Sequence, residues 1–445
     1  MLPAYGGRTP RYTSYPPATQ FSPAVNIETH AEWLEALPAD QPVSLYIHVP
    51  FCARLCWYCG CNTRVINRGE SITDYVDLLR DEIALVEARL PAKLNATAVH
   101  FGGGTPNMLR PDDLALVFGA LRQVFRVSSG AEIAAEIDPA QLTPEWARGA
   151  AFHGLNRASL GVQELSPDVQ RAVNRLEPFA VVERASGLLR AAGVASLNFD
   201  LMYGLPRQRT HDVLATLDQV LTLAPDRLAL FGYAHVPWMK PHQKLIADRD
   251  LPGESERLEQ SEAAAEKLAA AGYVRIGLDH YALPSDALAV ALAQGGLHRN
   301  FQGYTCDSAK TLLGFGVSAI GRLPQGFFQN LSVERDWRAA VREGRLPTAR
   351  GVALTDEDRF RGEIIEALMC GFEADLGAIR ARHGRTPASL SDLATVLAAL
   401  QSDGMIEIVG ETVRVTVLGR PFVREVCAAF DAYLERGVRR HAPTV

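Results

Sequence analysis

Four of the seven cysteines in this 445-residue chain, Cys52, Cys56, Cys59 and Cys61, stand within ten residues of one another in the stretch YIHVPFCARLCWYCGCN (46–62). Thiols this crowded suit metal binding or redox exchange. A structural zinc site is commonly closed by two C-x2-C pairs that are far apart in sequence, whereas C-x3-C-x2-C-x-C offers every ligand from one loop. The pair Cys56 and Cys59 has thioredoxin-like C-x-x-C spacing but leaves Cys52 without a role. A [4Fe-4S] cluster fits the crowding better, because it accepts thiolates from a compact loop. With four cysteines bound it can only pass electrons; with three, one iron stays open for another ligand. Zinc and dithiol chemistry remain as alternatives.

Composition narrows the setting. Cys306, Cys370 and Cys427 are scattered singly and the total is odd, which argues against a disulfide framework in a chain of this size. With 45 basic and 51 acidic residues the net charge is −6, so no global field draws nucleic acid or anionic lipid. No run of eighteen uncharged apolar residues occurs, and MLPAYGGRTPRYTSYPP lacks the apolar core of a targeting signal. These features predict a cytoplasmic chain with no nucleic-acid partner and no membrane insertion, expected to act as a monomer.

The elements that must position the thiols follow a repeat. Residues 1–35 are rich in Pro, Tyr, Thr and Ser without a period and read as an extended N-terminal segment. From there to about residue 285, β-rich runs alternate with amphipathic helices. The runs are 44–51, 97–103, 132–138, 157–163, 196–204 and 227–236, with 273–283 as a possible seventh. Ile72, Tyr75, Val76, Leu79, Ile83, Val86 and Leu90 follow helical spacing. Thr143-Pro144-Glu145 and Ser166-Pro167-Asp168 read as helix starts. Such a repeat predicts an α/β fold, a partly open (β/α)6 barrel over 36–345 with chemistry at the C-terminal strand ends. Residues 346–445 read as a mainly helical C-terminal domain with a β-hairpin in MIEIVGETVRVT. A winged helix would raise DNA binding, but this region holds twelve Arg and no Lys against fourteen acids, so a packing domain or lid is preferred.

C-x3-C-x2-C after the first strand of such a barrel resembles the signature of radical S-adenosylmethionine (SAM) enzymes. PRYTSYP (10–16), YIHVPFC (46–52), CGCN (59–62), FGGGTP (101–106), EIDP (136–139), GVQ (161–163), DLMYGLP (200–206), YAHVP (233–237) and HRNFQGYT (298–305) are together similar to the oxygen-independent coproporphyrinogen III oxidase family. The resemblance implies oxidative decarboxylation of two propionates of coproporphyrinogen III to vinyl groups, giving protoporphyrinogen IX in heme biosynthesis. It also implies a [4Fe-4S] cluster held by Cys52, Cys56 and Cys59, two SAM molecules, a tetrapyrrole substrate and an electron donor such as a flavodoxin or ferredoxin. Cys61 is then a neighbour of the cluster with its own task in catalysis, together with Tyr46.

Matching SAM-site positions are Tyr46, Tyr58, Gly103, Gly104, Thr105, Glu136, Gln163, Arg175, Asp200, Ala234 and Ile320. Three successive glycines, Gly102 to Gly104, exceed what a tight turn needs and favour close approach of a ligand. Glu136 suits a cationic amino group and Asp200 ribose hydroxyls or a second cationic SAM, although either acid could be a structural ion-pair partner. Arg11, Arg64, His298 and Arg299 are candidates for binding the substrate propionates. The rival within the superfamily is a heme-binding chaperone that shares the three cysteines and the barrel but lacks oxidase activity.

Overall fold

The computed structural model describes residues 9–66 and 70–434. The parts of the expected terminal segments at 1–8 and 435–445 lie outside the described residues.

All six expected β-rich runs form parallel strands: β1 (Pro42–Val49), β2 (Asn95–Gly103), β3 (Arg126–Ile137), β4 (Arg157–Gln163), β5 (Ser196–Tyr203) and β6 (Arg227–Gly232). Helices fill the crossovers and bury their periodic faces. In the Glu70–Glu87 helix, Ile72, Tyr75, Val76, Leu79, Ile83 and Val86 are buried, and Leu90 lies just past its end. Thr143 caps its helix by accepting from Trp146 N. Ser166 occupies an N-cap position without a side-chain cap bond.

The sheet continues on both flanks. Residues 273–283 do not make one strand but an antiparallel pair, β7 (Val274–Ile276) and β8 (His280–Ala282), with β8 antiparallel to β6. The break falls at Gly277, whose φ is +56° and where a Cβ would collide with the Tyr304 ring. On the other flank β9 (Thr311–Phe315) runs parallel to β1 and is followed by antiparallel β10 (Ile320–Leu323), β11 (Gly326–Asn330) and β12 (Thr348–Ala353). The order is β12-β11-β10-β9-β1-β2-β3-β4-β5-β6-β8-β7, an open sheet of twelve strands. Its two ends do not pair, so the barrel is partly open.

Because β12 belongs to this sheet, the expected boundary at residue 345 falls inside it. Beyond it a second apolar core gathers around the Asp356–Gly371 helix and an antiparallel sheet of Glu373–Asp375, Thr412–Val415 and Ile406–Val409, the last two forming the expected hairpin. The N-terminal segment is extended only in part. Ile27–Glu35 is a helix capped by Asn26, and His30 stacks on Phe328 of β11, on the flank of the sheet. Residues 9–17 instead run along the C-terminal core, where Tyr12 Oη donates to Asp431 and Ala432 N donates to Tyr15 Oη. Among the described residues no helix is long and apolar enough to cross a membrane.

Candidate active site

The cysteine loop leaves the C-terminal end of β1, and its neck is closed by Phe51–Cys52 pairing with Arg64–Val65. It is held from two sides. Trp57 N donates to Val173 O (3.0 Å) and Asn174 Nδ2 to Leu55 O (2.9 Å). Opposite, Lys240 Nζ donates to Cys61 O (2.9 Å), His242 Nε2 to Cys59 O (2.7 Å) and Gln243 Nε2 to Tyr58 O (2.8 Å).

The four thiols are not equivalent. Cys52 Sγ accepts from Thr105 Oγ1 (3.7 Å), Cys56 Sγ from Arg175 Nη1 (3.6 Å) and Cys59 Sγ from Cys61 N (3.4 Å). The Cys61 thiol also bonds the Cys59 sulfur, pulling Cys59 down to about 6, and Cys61 itself lies on the wall of the main cavity. Among the described residues no three His, Cys, Asp or Glu side chains gather around one metal position. A multi-iron cluster, whose thiolates sit on different irons, tolerates such spread where a single tetrahedral ion does not. The donor set therefore fits the cluster: three sulfurs on one loop, each receiving a hydrogen bond of the kind that tunes a cluster thiolate.

Behind the loop lies a charged network. Arg175 binds Glu177 (2.9 Å) and the Gly161 carbonyl, and Arg54 binds Glu177 (3.2 Å) and Asp138 (3.4 Å). Gln163, at φ +68°, lies beside Arg175. Burial pushes Glu177 up to about 6 against the pull of Arg175.

At the ends of β1 to β3, Tyr46 Oη bonds His48 Nδ1 (3.1 Å) and His48 Nε2 donates to Asn62 O (2.9 Å), fixing the far end of the cysteine loop. Burial lowers His48, so the neutral tautomer that accepts from Tyr46 and donates to Asn62 is favoured. The glycine run has a cause within the chain. A Cβ on Gly103, whose φ is +109°, would come within 2.5 Å of the His48 ring, and one on Gly104 within 2.6 Å of the Phe51 carbonyl. The excess of glycine thus reflects close packing of β2 on the neck of the loop, and it does not by itself call for a ligand.

Glu136 accepts from Gly103 N (3.0 Å) and lies 3.5 Å from His100 Nε2. Burial opposes its ionisation, but His100, the Gly103 amide and His48 hold it below the usual carboxylate range. Asp200 accepts from Ser159 Oγ (2.7 Å) and Asn198 Nδ2 (2.8 Å), and burial raises it to about 6. Both acids line one inner cavity of about 150 Å³. No ion pair from Lys or Arg reaches either among the described residues, unlike neighbouring Glu132, bound by Arg157 (2.6 Å).

The main cavity, about 360 Å³, lies between β6, β8, the N-terminal strip and the C-terminal core. Arg11, Arg257, Arg275, Arg299 and Arg424 line it, with Cys61 and Ala234 on its wall. Arg299 lies 4.5 Å over the Tyr304 ring, and its buried Nε and Nη1 have no hydrogen-bond partner among the described residues. Arg11 Nη2 donates to Gly232 O (3.1 Å).

Of the four basic candidates, Arg11 and Arg299 reach this cavity and two do not. Arg64 pairs with Glu334 (2.6 Å) and His298 with Glu366 (3.3 Å). Tyr58 packs against the apolar cluster that includes Val173 and Tyr233 and lines neither cavity. Ile320, two strands from β1 on β10, lines neither cavity. Sequence reasoning missed Arg257, Arg275, Arg424, His48 and His100. His48, His100 and Arg275 lie on the β-rich runs, whereas Arg257 and Arg424 lie in the Glu254–Ala270 and Val423–Ala428 helices, and no spacing rule distinguishes a cavity-facing arginine from a solvated one.

Comparison with known proteins agrees with this geometry. The Radical SAM superfamily model matches residues 46–220 and the HemN C-terminal domain model residues 354–422. The chain is 48% identical over 438 residues to the oxygen-independent coproporphyrinogen III oxidase of Bradyrhizobium diazoefficiens, covering 98% of this chain and 97% of that one. It is 38% identical to the protein of that name from Salmonella typhimurium, covering 99% and 96%. A solved coproporphyrinogen III oxidase from Escherichia coli, described as a radical SAM enzyme, superposes with a TM-score of 0.91 at 36% identity, covering 95% of this chain and 98% of that one.

Proposed function

This chain belongs to the oxygen-independent coproporphyrinogen III oxidase family of radical SAM enzymes, and on that premise we propose that it converts two propionates of coproporphyrinogen III to vinyl groups, giving protoporphyrinogen IX. The observation that carries the reading is the main cavity. Five arginines, Arg11, Arg257, Arg275, Arg299 and Arg424, surround a space beside the cysteine loop, and the substrate carries four carboxylates. Guanidinium is the group best matched to carboxylate, and it stays charged when desolvated.

Cys52, Cys56 and Cys59 would hold the cluster and leave one position for SAM, and when bound this pair would supply the radical chemistry that activates a propionate side chain. The chain's own residues do the rest. Thr105, Arg175 and the Cys61 amide stabilise the three thiolates. Glu136, kept ionised beside His100, accepts the amino group of the first SAM, with Tyr46, Gly103 and Gly104 around it. Asp200, Gln163 and Ala234 serve a second SAM. The arginines grip the propionates and aim one at a time at the radical source, and Cys61, on the shared wall, acts on the substrate side.

The strip at residues 9–17 and the C-terminal core beyond β12 serve as cover for the catalytic barrel. A low-potential protein such as a flavodoxin or ferredoxin supplies electrons to a monomer in the cytoplasm, a reducing setting that suits the free thiols of Cys306, Cys370 and Cys427.

The test is anaerobic turnover. Reconstituted protein, reductant, SAM and coproporphyrinogen III yield 5′-deoxyadenosine and a product lighter by two CO2 and four hydrogens, read by mass spectrometry. Absence of both in a brown, iron-replete preparation overturns the activity.

A further inference from the structure

The radical chemistry consumes one electron for each SAM cleaved, and that electron must reach the cysteine loop from outside. One surface segment lies directly against the loop. Residues 236–246 bond its backbone three times, through Lys240 to Cys61 O, His242 to Cys59 O and Gln243 to Tyr58 O. Their outer face is apolar and exposed: Trp238 is 49%, Met239 65% and Leu245 59% accessible. Across the loop Leu176, 62% accessible, follows the 173–174 stretch that bonds Leu55 and Trp57. Large apolar side chains gathered at both supports of one buried site mark a contact surface more than scattered exposure does.

Charge gives the partner's sign. The chain has five lysines, and two of them, Lys240 and Lys244, lie in this segment. Lys240 donates to a backbone carbonyl, and among the described residues neither Lys240 nor Lys244 forms an ion pair with an acid. The nearby acids are engaged elsewhere, Asp248 with His235 (3.1 Å) and Asp250 with Arg207 (3.2 Å). A basic, apolar patch on a chain whose net charge is −6 complements a partner with an acidic rim around an exposed redox centre.

We infer that the face formed by Trp238, Met239, Lys244 and Leu245 is the docking site of an acidic one-electron carrier protein, and that the 236–246 segment is the route by which its electron reaches the cysteine loop. In each transfer the carrier is oxidised by one electron and the cluster is reduced by one. This rests on the radical SAM activity proposed above. Steering by Lys244 makes association salt-sensitive, and Met239 and Leu245 supply the desolvated centre of the contact.

The test uses full-length reconstituted enzyme, with reduced flavodoxin as carrier and dithionite as a small reductant that needs no docking. Met239→Asp and Lys244→Glu are each expected to lower flavodoxin-driven 5′-deoxyadenosine formation about tenfold or more while dithionite-driven formation stays near wild type. Raising salt should slow the wild type with flavodoxin alone. Parallel loss with both reductants, no loss with either, or a change of oligomeric state in place of a donor-specific loss overturns the docking site. Failure of the wild type with dithionite would instead overturn the activity itself.

Discussion

At the scale of single residues, the four thiols divide by what each sulfur receives. Cys52, Cys56 and Cys59 each accept a hydrogen bond from Thr105, Arg175 or the Cys61 amide, whereas Cys61 turns its own thiol toward Cys59. Cys61→Ser is therefore expected to leave iron per chain near wild type and to lower turnover about tenfold or more, at least about 1.4 kcal/mol of barrier. Iron analysis alongside product formation decides it, and loss of iron would mean that the ligands were divided wrongly. The two cavity acids differ in the same testable way. Glu136 is held ionised, but burial raises Asp200 to about 6. A carboxyl group is protonated below its pKa, so the part of SAM affinity that depends on Asp200 should fall as pH drops through about 6. Asp200→Asn should remove that step, and calorimetric titration across pH 5 to 7.5 reads it. A step that survives in the variant would show that Asp200 faces no cationic ligand.

At the scale of elements, the six parallel strands were legible because each is a β-rich run bounded by a helix with clear period. The flanks were not. β9 carries a short apolar run, Thr311–Phe315, that nothing local distinguishes from a turn, and its parallel pairing with β1 is decided by register across 268 residues of chain, from Val43 to Thr311. The Ile27–Glu35 helix was hidden by the Pro-rich stretch before it, and what fastens it is tertiary. His30 stacks 3.7 Å from Phe328 and bonds Thr348 Oγ1 at 2.6 Å, and burial lowers it to about 3. An unfolded histidine protonates near 6.5. Stability from His30 is thus fully present above that pH and is lost as pH falls towards the folded value, by about 1.5 to 2 kcal/mol between pH 6.5 and 5. His30→Leu should flatten this limb of a thermal-midpoint profile. An unchanged slope would assign acid sensitivity to other groups, and the helix would then not be the weak point.

At the scale of the whole molecule, the main cavity exists only where three distant parts of the chain meet. Arg11 comes from the N-terminal strip, Arg257, Arg275 and Arg299 from the β6–β8 side of the barrel and its following loops, and Arg424 from the C-terminal core. Arg424 Nη1 donates to Thr9 O and Tyr12 binds Asp431, so the C-terminal core and the strip lock each other over the cavity. No local pattern could reveal this, because Arg424 sits in an ordinary helical stretch and becomes a site residue only through packing. Under the proposed function, the C-terminal region would take part in substrate binding and the cluster would be left to the barrel. Arg424→Gln is therefore expected to raise KM for coproporphyrinogen III about tenfold or more, the scale of a charge-assisted hydrogen bond, with iron content and SAM affinity near wild type. Deleting residues 1–17, which leaves the Ile27–Glu35 helix on the sheet, should act in the same direction and more strongly, lowering decarboxylation more than cluster content, because it removes Arg11 and the Thr9 carbonyl that Arg424 grips. If either change lowered iron and turnover together, the strip and the C-terminal core would be supports of the barrel itself, and the cations would have to be sought among the barrel arginines alone.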